Sequence, residues 1–202
     1  MLQRILIWDA PTRVFHWLQL ISFVGAYWTA ESERYRDIHL AFGYTLLGLI
    51  TFRLLWGFIG TPYARFNSFW FKPAETISYL IALVKGGAKH YLGHNPLGSV
   101  AVWLLLGLGA SLCVTGVFAL QDDASDAVIS AHGVLTNIML VVIAVHIMGV
   151  FMSSVLHKEN LLRAMITGYK VAEKDAAISA SYNWLAALMV LVAVIFGFVF
   201  LN

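Results

Sequence analysis

The sequence predicts an all-α integral membrane protein, and three observations carry that prediction. Of the 202 residues, 60% are apolar and only 12% charged, whereas a soluble domain of this size carries roughly 25% charged residues. The mean hydropathy is +0.77. Five charge-poor runs are each long enough for a helix to cross a bilayer core of about 30 Å, which takes about 20 residues. Transmembrane strands are excluded, because no ten-residue alternation of apolar and polar residues occurs and open backbone in lipid has no water to bond. The composition also excludes a disordered chain, and no nucleic-acid partner is expected.

The first run lies between Arg13 and Glu31. Its helix is expected to begin earlier, with Asp9 as N-cap and Pro11 in the first turn, which places His16 about two turns in. No A-x-A-like cleavage site follows, and a histidine and aromatics lie inside, so the run reads as a retained span rather than a secretory signal. The second run extends from Ile38 to about Gly60, interrupted by Arg53. Residues 73–91 are too broken by Lys85, Gly86 and Gly87 to span. With Ile77, Tyr79, Leu80, Ile81 and Leu83 among basic and small residues, they read as an amphipathic helix on the cytoplasmic face. The remaining runs extend from about Leu97 to Leu120, Val128 to Leu156 and Tyr182 to Leu201.

With alternating spans, every Lys and Arg except Arg34 and Arg36 falls on one side, at residues 1–13, 53–96 and 157–175. The other side collects Glu31, Glu33, Asp37, Asp122, Asp123 and Asp126. The positive-inside rule then makes the N-terminus cytoplasmic and the C-terminal Asn202 external, and the net charge of +2 hides a strongly sided distribution.

The chemistry available is that of histidine. One cysteine, Cys113, excludes a disulfide framework, a Cys-ligated cluster and covalent haem attachment, and in the third span it reads as packing. The seven histidines are conspicuous in a chain with so few charges. His132 and His146 share the fourth span. Their spacing returns the second to within about 40° of the first and separates them by about 21 Å along the axis. His16, near the cytoplasmic end of the first span, matches His146 in depth, and His39, at the outer end of the second, matches His132. Two depth-matched bis-histidine pairs are what two b-type haems require. Gly25, Gly43, Gly48, Gly107, Gly116 and Gly133 lie within spans, where a missing side chain admits a flat ring or simply a neighbouring helix.

Arg13 and Arg36 each stand three residues before a histidine, in an R-x-x-H pattern, where a guanidinium meets a haem propionate or serves only as a span-end anchor. His157 also returns to nearly the face of His146 and is the rival ligand; Lys158 and Glu159 beside it place it in the polar interface. His90 and His94 read as loop histidines, with a quinone or propionate contact as the lesser reading.

Several stretches together resemble the bacterial cytochrome b561 family, which includes the b-type cytochrome subunits of nickel–iron hydrogenases. They are Trp8-Asp9-Ala10-Pro11-Thr12-Arg13-Val14-Phe15-His16-Trp17, the Arg36-x-x-His39-x-x-x-Gly43 start of the second span, Gly93-His94-Asn95-Pro96-Leu97-Gly98, and the His132/His146 pair. The resemblance covers about residues 4–170. It implies a four-helix core holding two haem b groups, with His16, His39, His132 and His146 as iron ligands. The fifth span departs from the minimal four-helix form, so the chain divides into a di-haem core, residues 1–170, and a cytoplasmic linker with an additional helix, residues 171–202.

The expected function is transfer of electrons in the bacterial inner membrane between the quinone pool and a redox partner, on the periplasmic side. A c-type cytochrome is one such partner, and the acidic outer loops suit its docking, although positive-inside sorting alone leaves acidic residues there. The chain would act as a homodimer or as a subunit of a redox complex. Two alternatives are a stand-alone superoxide:quinone oxidoreductase and, from a different class, a haem-free proton-coupled transporter using membrane histidines as a relay.

Overall fold

The computed structural model describes residues 1–202 as a helical bundle closed at one end by a small cap. Helix α1 spans Ala10–Thr29. Asp9 caps it by accepting the Thr12 N–H at 2.7 Å, and Pro11 occupies the first turn, where a missing N–H costs nothing. A short 3-10 turn leads into α2, Arg36–Ile59. Helix α3, Pro73–Val84, starts where the Glu75 carboxylate accepts the Lys72 N–H at 2.7 Å. It stops short of the expected residue 91 because Gly86, at φ +77°, turns the chain into the left-handed region.

Helix α4, Pro96–Ala119, is capped by the Asn95 side chain, which accepts the Gly98 N–H at 2.8 Å. Helix α5 runs for 31 residues, Asp126–Leu156, about 46 Å at the α-helical rise and so longer than a bilayer core. A short α6, Leu161–Thr167, is ended by Gly168 at φ +86°, and α7 spans Asn183–Leu201.

Helices α2 (with its leading turn), α4, α5 and α7 are each long and apolar enough to cross a membrane, and the protein is a multi-pass membrane protein. Helix α1, with 20 residues, is also of spanning length at about 30 Å, but Arg13, His16 and Gln19 lower its hydropathy.

A two-stranded antiparallel sheet is the one regular element that hydropathy does not signal. Strand β1, Leu2–Leu6, pairs with β2, Tyr169–Glu173, with Arg4 opposite Val171. Each strand is too short for its alternation to stand out, and the partner lies far along the chain. The strands work as a clasp: the Ile178 N–H donates to the Leu6 carbonyl and the Ala10 N–H to the Ser181 carbonyl, both at 2.9 Å. Beneath the sheet, Ile5, Ile7, Trp8, Ala164 and Ala172 form a buried cluster. The clasp sets the start of α7 beside the start of α1, and α7 packs on α1 and α2.

Within the bundle α1 pairs with α2, α4 with α5, and α2 with α4; α5 has no extensive backbone contact with α1 or α2. Gly25 in α1 faces the Phe42 ring of α2 closely enough that an added methyl would overlap it. Gly25→Ala is therefore expected to splay the two helices and to destabilise the bundle by about 1–3 kcal/mol, read as a lower midpoint in thermal unfolding of the detergent-solubilised chain.

Candidate functional site

The outer pair of histidines is brought together as their depths predict. The rings of His39 on α2 and His132 on α5 have centroids 6.4 Å apart and planes inclined by 68°. Their hydrogen bonds settle the tautomers. His39 Nδ1 lies 2.8 Å from the Ala26 carbonyl, which only accepts, so Nδ1 carries the hydrogen. His132 Nδ1 lies 2.9 Å from Thr115 Oγ1. The Thr115 hydroxyl has the Ser111 carbonyl at 2.9 Å and the Leu112 carbonyl at 3.2 Å as acceptors for its one proton, and we assign the oxygen as acceptor from His132 Nδ1–H. Both rings therefore keep the Nε2 lone pair for a ligand. Two nitrogen–metal bonds of about 2 Å plus the ring radii put bis-imidazole centres roughly 6 Å apart, so the separation fits a single metal ion held between them. Gly116, one turn-mate of Thr115, is approached by His132 Cε1 so closely that a Cβ there would sit 3.3 Å from it.

At the other end of the bundle, His16 on α1 and His146 on α5 are electrostatic neighbours. His16 packs edge-on against Trp17, at a centroid distance of 5.1 Å, and its Nδ1 is buried without a hydrogen-bond partner. Between the two pairs lies an apolar layer of Phe23, Leu112 and Met139. Met139 is only 1% exposed and stands midway between His132 and His146 on α5. His39 and His132 thus face each other on one side of this apolar layer, and His16 and His146 lie within electrostatic reach of each other toward the other end. No group of three or more metal-ligating side chains comes together in the chain.

The arginines of the R-x-x-H pattern part company. Arg36 is exposed at the start of α2. Arg13 turns to the small cap and donates from Nη1 to the Ile166 carbonyl at 2.7 Å. His157 sits in the same cap, its ring 5.2 Å from that of His90. His90 in turn bonds Glu159 at 3.1 Å, and the buried Lys170 holds Glu159 at 2.9 Å.

His94 is the residue that reading the sequence underrated. It is no free loop histidine, since its ring packs 4.9 Å from Trp8 and 4.5 Å from Phe69, and its Nδ1 is buried and unpartnered. Burial, with the nearby Arg53 and Lys170 cations, holds its pKa down at about 3. The local signal was Gly93, where any side chain would strike Tyr63, followed by the Asn95 cap that fixes the start of α4.

Comparison with known proteins bears on what this arrangement serves. Residues 7–168 match the model of the prokaryotic cytochrome b561 family. The chain belongs to that family. Membership makes it a membrane b-type cytochrome of electron transport and implies haem b as its cofactor. The chain is similar to a protein of Rhizobium leguminosarum bv. viciae named "Probable Ni/Fe-hydrogenase B-type cytochrome subunit", with 23% identity covering 84% of this chain and 90% of that one. The Azotobacter vinelandii protein of the same name is 24% identical, over 84% of this chain and 89% of its own. An Escherichia coli K12 protein named as the hydrogenase 1 B-type subunit is 24% identical, over 62% and 63% respectively. No solved structure matches the chain significantly.

Proposed function

We propose that this b-type cytochrome carries two haem b groups, one between His39 and His132 and one between His16 and His146, and passes electrons across the inner membrane between the quinone pool and a redox partner on the periplasmic side. The observation that carries this reading is the outer pair: two imidazoles with free Nε2 atoms at bis-ligand separation. Bound haem supplies a reversible one-electron couple at each site. The chain's own part is to set ligand tautomers, keep water out and place the sites one above the other. The apolar layer at Phe23, Leu112 and Met139 does the second, and the single rigid α5 bearing both His132 and His146 does the third.

In this reading α1 is a fifth span, the N-terminus is cytoplasmic and α7 is an addition to the four-helix core. Helix α3 lies on the cytoplasmic membrane face, supported by its exposed Ile77, Leu80, Ile81 and Val84 next to Lys72, Lys85 and Lys89. Arg36 serves the propionates of the outer haem. The names borne by the relatives favour a redox enzyme complex as the partner, and the acidic Glu31–Asp37 and Asp122–Asp126 segments suit a basic docking face.

A haem-to-protein ratio with a redox titration of the purified chain tests the proposal. Two haems per chain with two transitions are expected; a single haem, or no Soret band after expression with adequate haem, overturns it.

Thr115 gives a finer test. By accepting from His132 Nδ1–H it makes the imidazole a stronger donor to a metal, as hydrogen-bond partners of ligands do. Thr115→Val is expected to raise the midpoint potential of one haem only and to weaken its binding about tenfold, while Thr115→Ser restores both.

A further inference from the structure

Among buried polar atoms without a hydrogen-bond partner are Arg53 Nη1 and His94 Nδ1, both toward the cytoplasmic end of the bundle. At the outer site, by contrast, the ring Nδ1 atoms of His39 and His132 are both engaged. Arg53 is a cation only 3% exposed on an apolar helix. Its guanidinium lies 5.0 Å from the Phe66 ring centre and 5.9 Å from that of Phe69, and it takes part in neither salt bridge of the chain.

Asp9 is the buried carboxylate that feels the Arg53 charge. Its oxygens are occupied, however. Oδ1 accepts from the Thr12 N–H, and Oδ2 accepts from Trp56 Nε1 and from the Thr61 hydroxyl. Asp9 thus balances the charge of Arg53 without filling its N–H donors. A buried guanidinium with open donors is costly unless a carboxylate or phosphate fills its fork.

His94 shares Phe69 as a neighbour with Arg53 and lies in the electrostatic reach of both Arg53 and His146. A cleft of about 430 Å³, lined in part by Tyr63, Ser68, His90 and His94, reaches it from the polar side. Arg53 Nη1 and His94 Nδ1 are thus two unsatisfied polar groups on either side of Phe69, and His94 is within electrostatic reach of His146. Any flat macrocycle held between His16 and His146 with its acidic edge toward the polar face would bring carboxylates to them.

We infer that Arg53 and His94 hold the propionates of the haem bound between His16 and His146. This rests on the di-haem reading and adds residues that the R-x-x-H pattern does not contain. It also makes the two sites unequal, since the inner haem meets a buried cation and the outer haem an exposed one at Arg36.

The test uses the full-length chain, prepared haem-free in membranes and titrated with either haem b or haem dimethyl ester, whose propionates are blocked. The wild type is expected to take up two equivalents of haem b, and to bind one of the two equivalents of the ester at least about tenfold more weakly. In Arg53→Met, and in His94→Leu, haem b at that site should lose part of its preference over the ester, and in the double variant all of it, with the ester itself unaffected. Arg53→Lys, which keeps the cation, should recover part of the difference. Unchanged binding at the other site reports that each variant is folded.

Variants that keep the wild-type preference for haem b over its ester overturn the inference. So do variants that weaken both ligands equally, which would make the residues packing elements. An ester that binds as well as haem b at both wild-type sites also overturns it, and would leave the donors to a soluble carboxylate entering through the cleft. Failure of the chain to bind either form refutes the di-haem reading itself, a result distinct from all of these.

Discussion

Replacing His132 with leucine is expected to remove one of the two proposed haems and to leave the other with its spectrum and potential intact. This outcome follows from the separation of the two histidine pairs. His132 and His39 face each other across the outer end of the bundle at 6.4 Å, and the buried layer at Phe23, Leu112 and Met139 lies between them and the inner pair. About 21 Å of α5 separates His132 from His146, so the loss of one ligand does not propagate to the other site through shared contacts. Loss of a first ligand is also more severe than loss of its hydrogen-bond partner, which costs about 10–100-fold. The haem content of His132→Leu is expected to halve by pyridine haemochrome assay, and one of two redox transitions to vanish. His39→Leu should give the same spectrum, and His16→Leu or His146→Leu the complementary one. Should His146→Leu keep two low-spin haems while His157→Leu loses one, the fourth-span ligand is His157 instead.

Asp9→Ala is the substitution expected to cost most in stability. Asp9 is fully buried and its carboxylate gathers three donors from three parts of the chain: the Thr12 N–H, the Trp56 indole and the Thr61 hydroxyl. Alanine removes the helix cap, worth about 1 kcal/mol. It also strands two buried side-chain donors at about 1–3 kcal/mol each and leaves the Arg53 cation without its nearest counter-charge. A loss of about 3–5 kcal/mol is expected, measured as the denaturant dependence of unfolding in detergent. Asp9→Asn keeps a capping oxygen, and its loss should be less than half as large. Equal losses for the two variants would show that charge, and not capping, is what Asp9 provides.

Much of this architecture is legible residue by residue. Charge-poor runs placed α2, α4, α5 and α7 within a few residues of their observed ends, because in lipid the backbone has no alternative to helix. Asp9 with Pro11, and Asn95 with Pro96, marked helix starts through purely local chemistry. The depth matching of His39 with His132 was also legible, because a helix is rigid enough for rise and angle to be carried over many residues.

What was not legible depended on contacts between distant segments. The β1–β2 clasp joins residues at opposite ends of the chain, and neither strand has a long enough alternation to announce itself. The same clasp brings Arg13 to Ile166, a contact that its spacing to His16 does not announce. His94 read as a loop residue because its flanking sequence is polar and glycine-containing; its burial arises only when Trp8 and Phe69 close over it from two other elements.

The sequence by itself determined the membrane class, the four apolar spans α2, α4, α5 and α7, and the approach of His39 to His132, since these follow from hydropathy and helical periodicity alone. The tertiary structure decided which nitrogen of each outer imidazole is free, which arginine is buried with open donors, and where His94 goes. Those are properties of packing, set by a carbonyl on α1, a hydroxyl on α4 and aromatic rings between helices, and no single stretch of sequence contains both partners of any such contact.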